Sequence, residues 1–196
     1  MMTVKGLISA LPDGARRKIQ KLHFCRKLQQ AQIDDEVELA IIPRLIEPGM
    51  TAFDIGANFG LYTRFLSTAT GPTGRVFSFE PTLDMFEVLT NNTIALELDN
   101  VVTSQLALSE GQKELTFYIP KRDDGTLNYY EASLERDTIG SEHETVVVMT
   151  TSLDQFCEDG DITSVDFIKI DVEGHELAVL EGARKVIKRD RPPIFL

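Results

Sequence analysis

The chain has 196 residues, of which 42% are hydrophobic and 26% charged, a composition that indicates a globular protein with one sizeable core. Its net charge of −11 argues against a chain-wide nucleic-acid-binding surface. No run is apolar enough for a membrane helix, and two distant cysteines, Cys25 and Cys157, predict free thiols and a cytoplasmic protein.

The first 30 residues are basic, with seven Lys or Arg and one Asp. Residues 15–33 predict a basic amphipathic helix, which could lie on an anionic membrane or pack over the acidic remainder of the chain. We favour packing, because Ile19, Leu22 and Phe24 supply few apolar anchors for a membrane. A second helix is expected over 34–46, kinked or ended by Pro43. Residues 1–46 are therefore predicted to form an N-terminal helical arm.

Strands and helices alternate through residues 47–196. Strands are expected at 51–55, 75–80, 101–108 and 164–171, helices at 60–70, 83–97, 152–158 and 174–188, and a further strand at 194–196. Residues 114–119 and 145–150 predict an antiparallel pair flanking a long loop, 121–144. This order predicts an α/β domain with a mostly parallel sheet and helices on both faces. The turns after Asp54, Glu80, Ala107 and Asp171 would then line one cleft.

A glycine-containing turn follows the first strand, in residues 51–63, reading TAFDIGANFGLYT. Glycines there let the backbone approach a ligand, but Asn58 and Leu61 stand where the NAD or FAD fingerprint requires glycine. Asp54 would repel a pyrophosphate and suits a ligand with an ammonium group. The pattern therefore favours S-adenosylmethionine, whose methionine end is an amino acid and whose sulfonium is cationic. Asp54 could also be an ordinary turn carboxylate.

An acid ends the second strand, in the segment RVFSFEP. Glu80 lies 24 residues after Gly56, near the spacing at which such an acid accepts hydrogen bonds from ribose hydroxyls. An acid before proline is also common turn chemistry, so the prediction depends on the two motifs together.

Four titratable side chains cluster in IKIDVEGHE, at the end of the fourth strand: Asp171, Glu173, His175 and Glu176. They could cap or flank a helix N-terminus, or act as metal ligands, although the spacing matches no recognisable metal loop. We expect a catalytic cluster in which His175 or Glu173 is the base and Asp171 orients substrate or sulfonium. No metal is predicted.

The segments FDIGANFGLYT, FEP, TTSLDQF and FIKIDVEGHELAVLEGA resemble the FkbM-type family of S-adenosylmethionine-dependent methyltransferases, over residues 50–196. The resemblance implies a Rossmann-like fold and methylation of a hydroxyl on a sugar or natural product. It implies a methionine pocket formed by Asp54, Gly56, Ala57, Asn58, Gly60, Tyr62 and Thr63. It also implies ribose binding by Glu80, adenine contacts by Pro81 and the turn near Ala107, and a position for Asp171 beside the transferable methyl. A further similar segment is Ala132-Ser133-Leu134, in a loop that would help to close the site.

The resemblance also sets an expectation about the last strand. Such enzymes follow their fifth strand with a helix and a β-hairpin, whereas Leu196 falls where the fifth strand begins. We therefore expect an S-adenosylmethionine-binding domain over 47–196 that is truncated at its fifth strand, with an open sheet edge that favours self-association. The alternative to an enzyme is a non-catalytic nucleotide-binding or interaction module derived from a methyltransferase.

Overall fold

A computed structural model describes residues 13–122, 127–132 and 142–196. Its helices and strands are, in chain order, α1 (Asp13–Gln30), α2 (Ile42–Leu45), β1 (Thr51–Ile55), α3 (Leu61–Thr70), β2 (Arg75–Phe79), α4 (Leu83–Ala95), β3 (Val101–Ser104), β4 (Ala107–Leu108), β5 (Glu114–Pro120), β6 (His143–Thr151), α5 (Leu153–Asp159), β7 (Phe167–Ile170), α6 (Glu176–Glu181), α7 (Arg184–Asp190) and β8 (Ile194–Phe195). Two 3-10 helices are Val37–Ile41 and Tyr129–Glu131.

The main sheet has five parallel strands in the order β3-β2-β1-β7-β8. The chain runs outwards from β1 through β2 to β3, and then continues on the other side of β1 with β7 and β8. The direction of winding therefore reverses between β1 and β7, which is where α/β sheets bind ligands, at the carboxyl ends of the strands. The predicted fold class, including the start of a fifth strand, is confirmed.

Helices cover both faces of this sheet. On one face, Phe53 and Ile55 of β1 pack in a cluster that includes Leu153 of α5, Val179 of α6 and Val186 of α7. On the other, apolar side chains of the strands pack against α2 and α3, forming a cluster whose fully or nearly fully buried members are Leu39, Ile42, Ile46, Ala52, Leu66, Val76 and Phe167. Successive β1 side chains thus point to opposite buried faces, as strand geometry requires.

A second, three-stranded sheet, β4-β6-β5, is inserted between β3 and β7. The predicted antiparallel pair is confirmed, with Phe117 of β5 opposite Val146 of β6. The predicted single strand over 101–108 is wrong, because the chain changes sheets within it. Residues 101–104 pair with β2, whereas Ala107 and Leu108 pair in parallel with Thr150 and Thr151 of β6.

Two predicted helices also differ from the structure. Residues 34–46 form a 3-10 helix followed by α2, and Pro43 lies in the first turn of α2 rather than at a kink, because a first turn tolerates its missing N–H. The predicted helix over 174–188 begins at Glu176 and breaks at Gly182. There the Asp154 carboxylate accepts hydrogen bonds from the N–H groups of Lys185 and Val186 at 2.9 Å, which caps α7 as a separate helix.

Helix α1 packs on α4. Leu28 is buried beside Met85 and Val88, while Lys21 and Arg17 pair with acidic side chains of α4. This contact agrees with the favoured interpretation of a cationic helix over an acidic body. No helix within the described ranges 13–122, 127–132 and 142–196 combines the length and apolarity that crossing a membrane requires.

Candidate functional site

A cleft of about 250 Å³ opens at the carboxyl ends of β1, β2 and β7, close to the lower limit of about 300–1,000 Å³ for small-molecule sites. The predicted residues that line it are Gly56, Ala57, Asn58, Tyr62, Glu80, Pro81, Ala107, Asp171, Glu173 and His175. Asp54, Gly60 and Thr63 are not among the lining residues. The structure thus brings the turns after β1, β2 and β7, together with β4, around one space.

A row of buried polar side chains crosses the sheet at the cleft, and one of them, Lys169, lines it. Ser78 of β2 and Lys169 of β7 are the register partners of Asp54 in β1, and all three are at most 3% exposed. The Thr63 hydroxyl donates to Asp54 Oδ2 at 2.6 Å and lies 2.9 Å from Ser78 Oγ. Asp54 therefore acts neither as a helix cap nor as a turn carboxylate here.

Lys169 was not singled out by the sequence analysis. Its Nζ lies 3.4 Å from Asp54 Oδ1, 3.3 Å from Asp171 Oδ2 and 3.2 Å from the Gly56 carbonyl oxygen. It also lies 4.8 Å from the centroid of the Tyr62 ring. A buried lysine is tolerated because these groups compensate its charge. A charged residue in the middle of the apolar segment FIKID was the signal available in the sequence.

Glu80 is the buried acid of the cleft. Its Oε1 accepts hydrogen bonds from the N–H and hydroxyl of Thr82 at 3.0 and 2.6 Å, and its Oε2 accepts one from the Asn58 N–H at 3.1 Å. A carboxylate has about four acceptor positions, so Oε2 retains one. Burial raises the pKa of Glu80 and outweighs these hydrogen bonds, which lower it. The side chain is fixed by the chain and still able to accept from a ligand.

Asn58, which lines the cleft, carries an unused acceptor. Its Oδ1 is buried and has no hydrogen-bond partner among the described residues. Asn58 also adopts a left-handed conformation, φ +50°, which asparagine tolerates better than most residues. A buried acceptor without a partner is costly unless a ligand supplies a donor, so this atom suits an ammonium or hydroxyl group.

The two glycines of the turn have packing functions in addition to any ligand contact. A Cβ on Gly56, where φ is +79°, would lie 1.9 Å from the backbone oxygen of Asp171. A Cβ on Gly60, where φ is +93°, would lie 2.9 Å from Leu89. Gly56 therefore permits close contact between the turns after β1 and β7.

The predicted catalytic cluster lies at one side of the cleft. The Asp171 carboxylate faces Lys169 rather than capping α6, whose cap position is His175. Burial lowers the pKa of His175, so the ring is neutral at neutral pH, and His175 Nε2 lies 2.9 Å from Ser109 Oγ. Burial, followed by the charge of Asp171, raises the pKa of Glu173.

Other lining groups complete the site. Burial, followed by Glu36, raises the pKa of Tyr62, which therefore keeps its proton. Tyr129 lines the cleft and donates a hydrogen bond from its hydroxyl to Asp84 of α4. Of the segment predicted to help close the site, Ala132 lines the cleft, whereas Ser133 and Leu134 lie outside the described residues. Across the described ranges, no three His, Cys, Asp or Glu side chains are grouped to hold a metal ion.

Known proteins are similar to this chain at the level of sequence. Hexuronic acid methyltransferase AglP of Haloferax volcanii is 27% identical over 175 residues, which cover 89% of this chain and 66% of AglP. The 2-O-methyltransferase NoeI of Sinorhizobium fredii is 27% identical over 197 residues, which cover 95% of this chain and 76% of NoeI. The chain thus spans about two thirds to three quarters of the length of these relatives.

A solved structure shares the fold. Methyltransferase FkbM from Methylobacillus flagellatus KT superposes with a TM-score of 0.52 at 17% identity, over 96% of this chain and 45% of that one. Residues 54–196, which hold every residue predicted for the site, match the methyltransferase FkbM domain. The chain therefore belongs to the FkbM methyltransferase domain family.

Proposed function

We propose that this chain binds S-adenosylmethionine in the cleft and methylates a hydroxyl oxygen of a sugar or natural product. The observation that carries the proposal is that Asn58, whose Oδ1 has no partner among the described residues, and Glu80, whose Oε2 retains one acceptor position, line one cleft with the Asp171–His175 turn. Membership of the FkbM family supports the reaction type. The names of AglP and NoeI, which specify hexuronic acid and 2-O-methylation, support an oxygen of a sugar as acceptor.

The lining fits S-adenosylmethionine chemically. Glu80 would accept a hydrogen bond from a ribose hydroxyl, and Asn58 Oδ1 would accept one from the methionine ammonium. Pro81 and Ala107 would flank the adenine. Asp54, which is paired with Lys169, would contribute to the field beneath the cleft rather than touch the ligand.

The reaction needs little acid–base chemistry beyond one proton transfer. When bound, S-adenosylmethionine supplies a methyl group on a cationic sulfonium, from which the acceptor oxygen takes the methyl carbon as the carbon–sulfur bond breaks and a neutral thioether leaves. His175, neutral at neutral pH, would take the proton of the acceptor hydroxyl. Alignment of the reactants contributes about 7–11 kcal/mol to such reactions, and a positioned base about 10²- to 10⁴-fold in rate.

Calorimetric titration with S-adenosylhomocysteine tests the proposal, with NADH as the control ligand. We expect micromolar binding of S-adenosylhomocysteine and none of NADH. Turnover is then measured with hydroxylated sugars, in the presence and absence of a chelator, and we expect it to survive chelation. Binding without turnover on any acceptor would favour the non-catalytic module, and failure of a folded chain to bind would contradict the proposal.

A further inference from the structure

Ser109 joins His175 to Glu110 through two short contacts. The serine follows β4 and is completely buried. Its Oγ lies 2.9 Å from His175 Nε2 and 2.7 Å from Glu110 Oε2. No motif of the sequence analysis includes Ser109 or Glu110, and neither residue lines the cleft.

The direction of both hydrogen bonds follows from counting protons. Glu110 also accepts a hydrogen bond from the Lys113 ammonium, and these donors lower the pKa of Glu110 to about 2. An ionised carboxylate can only accept, so the single proton of the Ser109 hydroxyl goes to Glu110. The serine oxygen must then accept from His175, which places a proton on Nε2. A neutral imidazole has one N–H, and Nδ1 is therefore the basic nitrogen.

The serine is held rigidly enough to define the direction of the imidazole. Its N–H donates to the Thr151 carbonyl oxygen at 2.9 Å, which ties it to β6. Its own carbonyl oxygen packs against Gly182, where a Cβ would lie only 2.0 Å away. Nε2 is turned towards this fixed partner, whereas Nδ1 makes no hydrogen bond within the described part of the chain, and His175 is one of the residues that line the cleft.

We propose that Ser109 and Glu110 are positioning residues that hold His175 with Nε2 protonated and Nδ1 directed to the acceptor hydroxyl. The inference rests on the proposed function, because it assigns the proton-accepting atom of that reaction. In the proton transfer, the hydroxyl proton of the acceptor moves to Nδ1 as the oxygen–methyl bond forms. The resulting imidazolium keeps its Nε2–H bond to Ser109, and the Glu110 carboxylate stabilises its charge.

Nitrogen-15 NMR of the three histidines tests the assignment directly, with His175→Gln identifying the resonances. At neutral pH we expect an unprotonated Nδ1 and an Nε2-bound proton that exchanges slowly with water. Ser109→Ala and Glu110→Ala should make that proton exchange rapidly. In Glu110→Gln, by contrast, the exchange should stay slow, because the amide oxygen of the glutamine can still accept a hydrogen bond from Ser109. Glu181→Ala is the matched control, since it removes an exposed acid from a similar i, i+3 pair with Arg184.

Turnover supplies the second measurement. Loss of imidazole orientation should lower kcat by about 10- to 100-fold in Ser109→Ala, with unchanged affinity for S-adenosylhomocysteine. A proton on Nδ1 in the wild-type chain, or unchanged Nε2–H exchange in Ser109→Ala, would overturn the inference. So would faster exchange without loss of kcat. The NMR result does not depend on turnover, so failure to bind S-adenosylhomocysteine would contradict the proposed function alone.

Discussion

Lys169 Nζ lies 3.4 Å from Asp54 Oδ1, and both side chains are almost completely excluded from solvent. The carboxylate that the sequence suggests for an ammonium ligand is thus already paired with a cation from the neighbouring strand. Lys169 also reaches Asp171, at 3.3 Å, so one ammonium links the ends of β1 and β7 beneath the cleft.

Replacement of this lysine should therefore be costly. Lys169→Met leaves Asp54 buried without its counter-charge, and we expect a loss of about 3–5 kcal/mol in the free energy of unfolding. Chemical denaturation measures it, with Lys185→Met at an exposed pair as control. The double variant Asp54→Asn/Lys169→Met should recover most of the loss. A single variant as stable as the control would show that the buried pair contributes little.

Glu80→Gln should weaken binding of S-adenosylhomocysteine by about 10- to 100-fold, because a hydrogen bond to a charged acceptor contributes about 1.5–3 kcal/mol. Calorimetric titration measures the affinity. The exposed Glu114→Gln on β5 serves as control and should bind like the wild type. Equal affinities for the two variants would remove Glu80 from the ribose site.

His175→Ala should lower kcat by about 10²- to 10⁴-fold and leave cofactor affinity nearly unchanged. Burial lowers the pKa of His175 below about 6.5, the usual pKa of a histidine. The ring is therefore still mostly unprotonated when the pH has fallen to that value. The acid limb of the kcat profile should therefore lie below that pH. The acid limb should persist in the Glu173→Gln variant. Its disappearance there would identify Glu173 as the base instead.

Gly56→Ala should destabilise the chain by about 2–5 kcal/mol, combining a left-handed conformation and a steric overlap with the backbone of Asp171. Gly111→Ala provides a control, because a Cβ there has nothing within 4 Å. Thermal or chemical denaturation compares the two. Similar stabilities would mean that the turns after β1 and β7 separate at little cost.

The proposed boundary between an N-terminal arm and the domain from residue 47 can be tested on α1. Leu28 is 1% exposed, so Leu28→Ala should cost about 2–5 kcal/mol if α1 unfolds with the rest of the chain. Leu22→Ala, at a 53% exposed position on the same helix, should cost less than about 0.5 kcal/mol. Equal effects would support an independent arm.

Local patterns predicted residues that line the cleft where the determinants are close in sequence. The turn between β1 and α3 and the acid after β2 follow from glycine placement and strand alternation within about 30 residues. Ser109 could not be found in this way. It comes within hydrogen-bond distance of His175 because the chain leaves the main sheet after Ser104 and pairs β4 with β6, a change of strand partner that no local sequence pattern indicates.

The break between α6 and α7 was missed for a related reason. Residues 174–188 have a helical apolar pattern, but Asp154, about 30 residues earlier, supplies the acceptor that ends one helix and starts the next. Lys169 was overlooked because a lysine in a strand ordinarily indicates an exposed position. Its buried partner, Asp54, is in another strand.

The inserted sheet has a consequence for engineering. Residues 105–151 hold all three strands of this sheet, and Thr151 at the end of the segment pairs with Leu108 near its start, so they form a natural segment to exchange between relatives. The imidazole-orienting serine lies within that segment, whereas the imidazole lies outside it. A chimera that replaces the segment must therefore bring an equivalent hydroxyl and acid near its first junction, or leave the imidazole without its hydrogen-bond partner.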